Sequence, residues 1–223
     1  MFGTEPVLVT WCPLCGSGMA FKSTMSDKVL EFGVSGLLYN SDVLLYDRQS
    51  ESLWSQISTK AIDGPYKGKK LKQVPMEHTS RDNWSHRNPE TLVLSRNNGF
   101  NRNYDRQAYA DYEKQDRLYF PVRDTDDRYS LKEWVLGITI GGQEKAYAFS
   151  ELDKKSKQAS LNEDGELRFT DRIGTKTITI LFDPVNQSAR AIDRDNEPIA
   201  SNTAFWFAWY AFHPDTEVYE YKQ

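Results

Sequence analysis

Close to the amino terminus the chain reads Val7-Leu8-Val9-Thr10-Trp11-Cys12-Pro13-Leu14-Cys15-Gly16-Ser17-Gly18-Met19-Ala20-Phe21-Lys22. The apolar run 7–11 predicts a buried strand, the glycines at 16 and 18 predict a turn, and residues 19–22 predict a returning strand. The segment is therefore expected to form a β-hairpin whose turn contains both cysteines of the chain.

The same pattern returns, without a gap, in residues 178–193. There Asp183-Pro184 aligns with Cys12-Pro13, and Asn186 takes the place of the second cysteine. Both copies read as strand, X-Pro turn and strand, so we expect an internal duplication, 7–22 versus 178–193. The second copy lacks thiols. This indicates that the hairpin can form without sulfur and that the two cysteines have a chemical role.

The remaining pattern predicts a β-rich α+β fold, with 1–223 as a single domain of two related hairpin-containing halves. Ser201 and Asn202 are expected to cap a short, buried aromatic helix that runs to His213 near the carboxyl terminus. Residues 154–165 are expected to be a connection. Residues 75–130 are rich in Asn, Asp, Arg and Tyr and are expected to be a solvated insertion crossed by a few short strands.

Composition limits the classes of function. The chain has 223 residues, enough for a core that needs neither metal nor disulfide to fold. Its formal net charge is -4 with acidic and basic residues interspersed, which argues against a nucleic-acid partner. No run of apolar residues is long enough to cross a membrane. The first residues lack the pattern of a signal peptide.

Two cysteines separated by two residues admit three interpretations. The first is a metal knuckle, in which Cys12 and Cys15 are joined by ligands such as Met19, His78 or His86. Cysteine with methionine and histidine suits Cu(I), whereas cysteine with histidine alone suits zinc, so copper or zinc is expected. The second is a thiol–disulfide redox pair on a fold other than thioredoxin. The third is a structural pair packed as small apolar residues.

Other candidates are single polar or aromatic residues near predicted turns: Asp47, Arg48, Trp54, Arg96, Tyr104 and His213. The Asp-Arg pair either lines a polar pocket or forms a surface ion pair beside a core tryptophan. Arg96 either binds an anion or belongs to a solvated loop. His213 is either a ligand or base, or a histidine favoured by a helix carboxyl terminus. An aromatic pocket around Trp54 or Tyr104 would suit a small ligand or a protein partner.

Several longer segments resemble the bacterial domain-of-unknown-function family 3179. They are Val7 to Phe21, Phe32-Gly33-Val34-Ser35-Gly36-Leu37-Leu38-Tyr39-Asn40-Ser41-Asp42, Tyr46 to Gln56, Ala61-Ile62-Asp63-Gly64-Pro65, Leu94-Ser95-Arg96, Phe205-Trp206-Phe207-Ala208-Trp209 and Phe212-His213-Pro214-Asp215-Thr216. The resemblance implies a periplasmic, secreted or lipid-anchored protein with no established activity. It also implies that this chain lacks an N-terminal segment of the family, and with it a further histidine.

The sequence names no reaction, so whether the protein is an enzyme stays open. The leading expectation is a protein that binds a soft metal ion through its Cys-Pro-x-Cys knuckle. The alternatives are a thiol–disulfide redox protein, or a non-enzymatic extracytoplasmic binding module whose cysteines are structural.

Overall fold

The computed structural model describes residue 3, residues 5–106, residue 109 and residues 111–222. In chain order the strands are β1 Val7–Cys12, β2 Ser17–Lys22, β3 Thr24–Met25, β4 Lys28–Val29, β5 Phe32–Tyr39, β6 Asp42–Asp47, β7 Leu53–Ser55, β8 Ala61–Asp63, β9 Gln73–Val74, β10 Trp134–Ile140, β11 Gln143–Ala148, β12 Leu167–Ile173, β13 Lys176–Asp183, β14 Ser188–Ile192, β15 Pro198–Ile199, β16 Asn202–Phe205 and β17 Glu217–Tyr219. The helices are α1 Arg81–Arg87, α2 Phe149–Ser156 and α3 Trp206–Tyr210. Short strands and three short helices confirm a β-rich α+β fold.

The strands form several small sheets with mainly antiparallel pairing. Their orders are β1-β2-β9, β5-β6-β7-β8, β16-β10-β11-β17 and β12-β13-β14-β15, beside the two-stranded β3-β4. The exception is β17, which pairs with β11 in parallel. Sheets this small have many edges, and they are stable here because their faces pack on one another.

Both expected hairpins are present, and they share their register and loop length. Cys12 pairs with Ser17 in the first, and Asp183 pairs with Ser188 in the second, so each loop has four residues. The last loop residue has a left-handed backbone in both, with φ of 61° at Gly16 and 47° at Gln187. The two segments are thus the same kind of hairpin, while their origin by duplication stays a prediction.

Three local expectations differ from the structure. Residues 149–156 form α2, so the expected connection 154–165 starts only after Ser156. The helix forms because Phe149 and Leu152 lie one helical turn apart and are both buried. Residues 202–205 form β16 instead of opening a helix, because they pair with β10, and α3 begins only at Trp206. In the described part of 75–130 the regular structure is α1, and no strand crosses it.

Two large apolar clusters hold the sheets together. The first joins the β1–β2 hairpin to the sheet β5–β8 and to β16 and α3, and it includes Trp54, Phe205 and Phe207. The second lies between β10–β11, α2 and the sheet β12–β14. The cysteines belong to the first cluster. In the part of the chain that the structure describes, no helix has the length and apolar character needed to cross a bilayer.

Candidate functional site

The cysteine turn is covered by a second turn. Cys12 ends β1 and Cys15 lies in the loop, and both are free thiols that are 1% and 0% exposed. Asn40 and Ser41 join β5 to β6 with φ of 50° and 62°, the pattern of a two-residue type I′ hairpin turn. This turn places the Ser41 carbonyl oxygen 4.0 Å from Cys12 Sγ and 3.5 Å from Cys15 Sγ.

The next residue, Asp42, adds a carboxylate to the two sulfurs. Its side chain is 0% exposed, and its Oδ2 accepts hydrogen bonds from the Ile57 backbone N–H at 3.0 Å and the Ser55 hydroxyl at 3.2 Å. Its Oδ1 lies 3.9 Å from Cys15 Sγ. One ligand atom each from Cys12, Cys15 and Asp42 lie within 4.8 Å of one another. Two thiols and a carboxyl group are therefore concentrated in one buried volume.

The three acidic groups do not ionise alike. A hydrogen bond from the Cys15 thiol lowers the pKa of Cys12 to about 7, and backbone N–H groups of Cys15, Val43 and Leu14 add to this against the opposing effect of burial. Burial raises the pKa of Cys15 and also that of Asp42, and a negative charge on Cys12 raises the pKa of Asp42 further. Of the two cysteines, Cys12 is therefore the one that ionises first.

The second hairpin explains why an anion is favoured at Cys12. At the equivalent position, Asp183 Oδ1 accepts hydrogen bonds from the backbone N–H groups of Val185 and Asn186, both at 2.9 Å. Leu14 and Cys15 occupy the corresponding loop positions, and their backbone N–H groups help to lower the pKa of Cys12. This loop therefore presents two amides to an anion, a carboxylate in one copy and a thiolate in the other.

Tyr112 covers the pair from the middle segment of the chain. It is 2% exposed, belongs to the same apolar cluster as the cysteines, and its hydroxyl has no hydrogen-bond partner among the described residues. Burial and the nearby Cys15 charge raise its pKa to about 12. The Lys132 ammonium lies 3.7 Å from the centre of the Tyr112 ring and donates to the carbonyls of Tyr112, Gln115 and Arg117. Lys132 therefore fixes the loop that carries Tyr112.

Met19, His78 and His86 were expected as additional metal ligands, but the structure does not bring all three to Cys12, Cys15 and Asp42. Met19 is 2% exposed and pairs with Thr10 across the hairpin. Thr10 and Met19 each lie two residues from the Cys12–Ser17 pair, so Met19 is on the same face of the hairpin as Cys12. His78 packs between the rings of Trp11 and Trp134, at 5.1 Å and 5.5 Å between ring centres. His86 is exposed on α1. Over the residues described, the group of Cys12, Cys15 and Asp42 contains no histidine.

The Asp47–Arg48 pair is part of a turn beside the core. Asp47 accepts hydrogen bonds from the Ser50 backbone N–H at 2.6 Å and from Trp54 Nε1 at 2.9 Å. Trp54 is 0% exposed, so it fills the core and does not line an open pocket. The Arg48 guanidinium lies over the Tyr46 ring instead, at 5.5 Å from its centre.

The other candidates lie away from the thiols. Arg96 is exposed and its Nη1 lies 2.8 Å from Asp105 Oδ1, while Tyr104 is exposed beside Asn98.

His213 follows α3 and stacks on Trp209, with 3.8 Å between ring centres. Its Nδ1 lies 2.7 Å from Glu144 Oε1. Burial lowers the pKa of His213, and Glu144 opposes this shift.

Sequence reasoning missed Asp42 and Tyr112. Asp42 follows a two-residue hairpin turn, where a polar residue is ordinarily explained by the turn itself. Tyr112 lies among the polar residues of the middle segment, and no pattern marks it as buried. The one sequence feature that could have pointed to Asp42 is the segment Tyr39-Asn40-Ser41-Asp42 between two apolar strands. It predicts a type I′ turn, but it does not predict that this turn packs on the cysteine turn.

Together, the fold and the site define a β-rich α+β protein with a buried dithiol–carboxylate group between two hairpin turns. The chain belongs to the family described as Protein of unknown function (DUF3179), whose sequence model matches residues 1–216. No curated protein and no solved structure is significantly similar to it.

Proposed function

We propose that the protein binds a thiophilic metal ion, zinc before copper, through Cys12, Cys15 and Asp42. The observation that carries the proposal is the approach of three ligand atoms to within 4.8 Å on three buried residues. Acidic groups are seldom buried together unless a proton or a cation compensates their charge. A single metal ion can bind all three groups and compensate most of their charge.

The distances suit a tetrahedral ion. Zinc bonds of about 2.3 Å to sulfur and about 2.0 Å to oxygen imply a sulfur–oxygen edge of about 3.5 Å. Cys15 Sγ lies 3.9 Å from Asp42 Oδ1 and 3.5 Å from the Ser41 carbonyl oxygen. Small side-chain movements therefore suffice to bring the sulfurs and the carboxylate around one centre, with the Ser41 carbonyl or a water as fourth ligand.

Charge favours zinc over copper in this set. With both thiols and the carboxylate ionised the group carries three negative charges, so Zn²⁺ leaves one of them uncompensated and Cu⁺ leaves two. Buried charge costs several kcal/mol per ion, and a carboxylate oxygen is a poor ligand for soft Cu(I). The two hydrogen bonds to Asp42 Oδ2 fix the carboxylate and leave Oδ1 for the metal.

The test is metal analysis of untagged protein, with the thiols counted. We expect one zinc per chain, loss of zinc in the Cys12→Ser, Cys15→Ser double variant, and at least tenfold weaker binding in Asp42→Asn. Asp47→Asn is the matched control, because Asp47 is also a buried carboxylate but lies outside the group. Unchanged zinc affinity in the double variant would refute the proposal.

The pH dependence provides a second readout of the same site. Burial raises the pKa values of Cys15 and Asp42, so protons compete more strongly with a metal ion for both groups. We expect zinc affinity to rise as the pH increases from 6 to 8, with proton release measurable by calorimetry in buffers of different ionisation enthalpy. Affinity that does not change over this range would show that these groups are not ligands.

A second candidate function is thiol–disulfide exchange, and the contrast between a lowered pKa at Cys12 and a raised one at Cys15 favours it. The Cys12 thiolate attacks one sulfur of an external disulfide and releases the other as a thiolate. Cys15 then attacks Cys12 in the mixed disulfide, its proton passes to Asp42, and the second external thiolate leaves. The external disulfide gains two electrons and the cysteine pair loses them.

Redox titration in glutathione buffers separates the two functions. A metal site predicts that bound zinc protects both thiols from oxidation. A redox pair predicts a definable midpoint potential and no zinc after dialysis, and that result would replace the metal proposal with the second one.

A further inference from the structure

A second site is a cavity of about 310 Å³ beside α3, within the size range of small-molecule sites. Its lining is mixed. Apolar side chains of Met19, Leu71 and Phe212 form one part, and polar or charged side chains form the remainder. The polar groups decide which ligand it would accept.

Two lysines line the cavity side by side. Lys60 and Lys70 face each other across an isolated antiparallel bridge, so their side chains project from the same face. Like charges at directly opposite positions repel each other. Among the described residues, no carboxylate lies within ion-pair distance of either ammonium. The pair is therefore an uncompensated positive site at the cavity.

Asn202 adds a buried donor. It lines the cavity, is 3% exposed, and its Oδ1 accepts a hydrogen bond from the Ser17 hydroxyl at 3.0 Å. Its Nδ2 has no hydrogen-bond partner among the described residues. An unpaired buried donor is unfavourable because it has lost its hydrogen bond to water, and a ligand acceptor in the cavity would restore a hydrogen bond.

One wall of the cavity is rigid. The His213 ring stacks on Trp209, whose Nε1 donates to the Thr216 hydroxyl at 3.0 Å. Gly137 makes room for Trp209, because an added Cβ would lie 2.2 Å from its Cε3 atom. Glu144 is the one carboxylate in the lining, and its Oε1 lies 2.7 Å from His213 Nδ1.

We propose that this cavity binds a small organic carboxylate. The two ammonium groups and the Asn202 amide recognise the carboxylate, while Met19, Leu71 and Phe212 contact a short carbon body. At roughly 30 Å³ for each water-sized group, the volume admits a ligand of about ten non-hydrogen atoms. The site is separate from the proposed metal centre and does not depend on it.

The experiment is isothermal titration calorimetry of the full chain with butyrate and benzoate, each against its matched amide, and with inorganic phosphate. Ionic strength is kept constant, because exposed lysines respond to salt. We expect at least one acid to bind ten or more times as tightly as its amide. Lys70→Gln and Asn202→Asp should each weaken binding at least tenfold. Asn202→Asp keeps the acceptor for Ser17 but replaces the free donor with a charge.

Lys67→Gln is the control, because Lys67 is an exposed lysine outside the cavity lining, and it should bind the acid normally. The Cys12→Ser, Cys15→Ser variant should also bind it normally, so failure of the metal proposal leaves this result unaffected. Three outcomes with the wild-type protein overturn the inference: equal binding of acid and amide, binding of phosphate alone, or no binding of any acid. An equal loss of acid affinity in Lys67→Gln and Lys70→Gln would also overturn it, because the acid would then be attracted by the overall positive charge and not by a specific site.

Discussion

Gly16 and Gln187 occupy the same position in the two hairpin loops, and both have positive φ. Gln187 shows that this backbone conformation alone does not require glycine. At Gly16 the requirement is space, because an added Cβ would lie 2.6 Å from Trp134 Cη2 and 3.1 Å from Phe205 Cζ. The glycine thus lets the cysteine turn pack closely on the aromatic core.

Gly16→Ala should therefore destabilise the protein by about 1–3 kcal/mol, through strain and displaced aromatic rings. Gln187→Gly, the matched control in the other hairpin, should change stability by less than about 1 kcal/mol. Urea unfolding followed by tryptophan fluorescence measures both. Equal effects of the two substitutions would contradict the packing argument.

Because its pKa is shifted, His213 should make the free energy of unfolding depend on pH. Burial lowers its pKa below the ordinary value of 6.5, so the unfolded chain binds a proton at higher pH than the folded one. This contribution to stability is fully present above pH 6.5 and is lost as the pH falls through the folded value. We expect the free energy of unfolding to fall between pH 7 and pH 5, and to fall less steeply in His213→Gln. An identical slope in the variant would rule out His213 as the cause.

Two turns and one loop assemble the cysteine site. The Asn40-Ser41 turn is fixed from outside its own hairpin, because the Ser41 hydroxyl donates to the Phe120 carbonyl at 2.7 Å. Asn40 Nδ2 donates to the Ala211 carbonyl at 3.2 Å, and Asn40 Oδ1 accepts from the Arg123 N–H at 3.2 Å. The position of Asp42 therefore depends on a segment that has little regular structure of its own.

Lys132→Met should loosen the loop that covers the thiols, because it removes an ammonium that donates to three backbone carbonyls. A decrease of about 1.4 kcal/mol in the local opening free energy corresponds to tenfold more opening. We expect metal-free protein to react about ten times faster at Cys12 with a thiol reagent. Lys114→Met, at an exposed lysine of the same loop, is the control and should leave the rate unchanged. Equal rates in the two variants would show that Lys132 does not control access.

At the scale of the complete fold, three apolar clusters of the described residues stabilise the protein, two large and one small, and one of the large ones contains the cysteines. A chain of 223 residues buries enough apolar surface to fold without a metal. The second hairpin, which forms the same loop with Asp183 and Asn186, supports this view. The site is therefore expected to be a functional addition to a fold that is stable without it.

The Cys12→Ser, Cys15→Ser variant should accordingly remain folded, with a loss of about 1–3 kcal/mol from two substitutions in a packed region. Zinc at one hundred times its dissociation constant should stabilise the wild type by about 2.7 kcal/mol and the variant by nothing. Urea unfolding with and without zinc measures both effects. A variant that is unfolded without metal would show that the cysteines are structural.

Both hairpins and the β-rich class were predictable from the sequence, because alternating apolar residues and X-Pro turns act within a few residues of the chain. The close cysteine pair was also visible, since its spacing is local. The expected start of the connection at 154 and the expected start of the aromatic helix at 201 were wrong, since α2 runs to Ser156 and α3 begins only at Trp206. There, burial of one face of α2 and pairing of β16 with β10 overrode local preference.

Only the tertiary structure brought Asp42, Tyr112 and the Ser41 carbonyl to the thiols, and only it formed the cavity beside His213. Asp42 lies 27 residues from Cys15, and Ser17 and Asn202 are 185 residues apart. Contacts at such separations leave no local periodicity, because they arise from sheets and turns packing on one another. The energy of these contacts comes from burial and hydrogen bonding in the folded chain. The folded chain therefore determines both the position of Asp42 beside the thiols and the cavity beside His213.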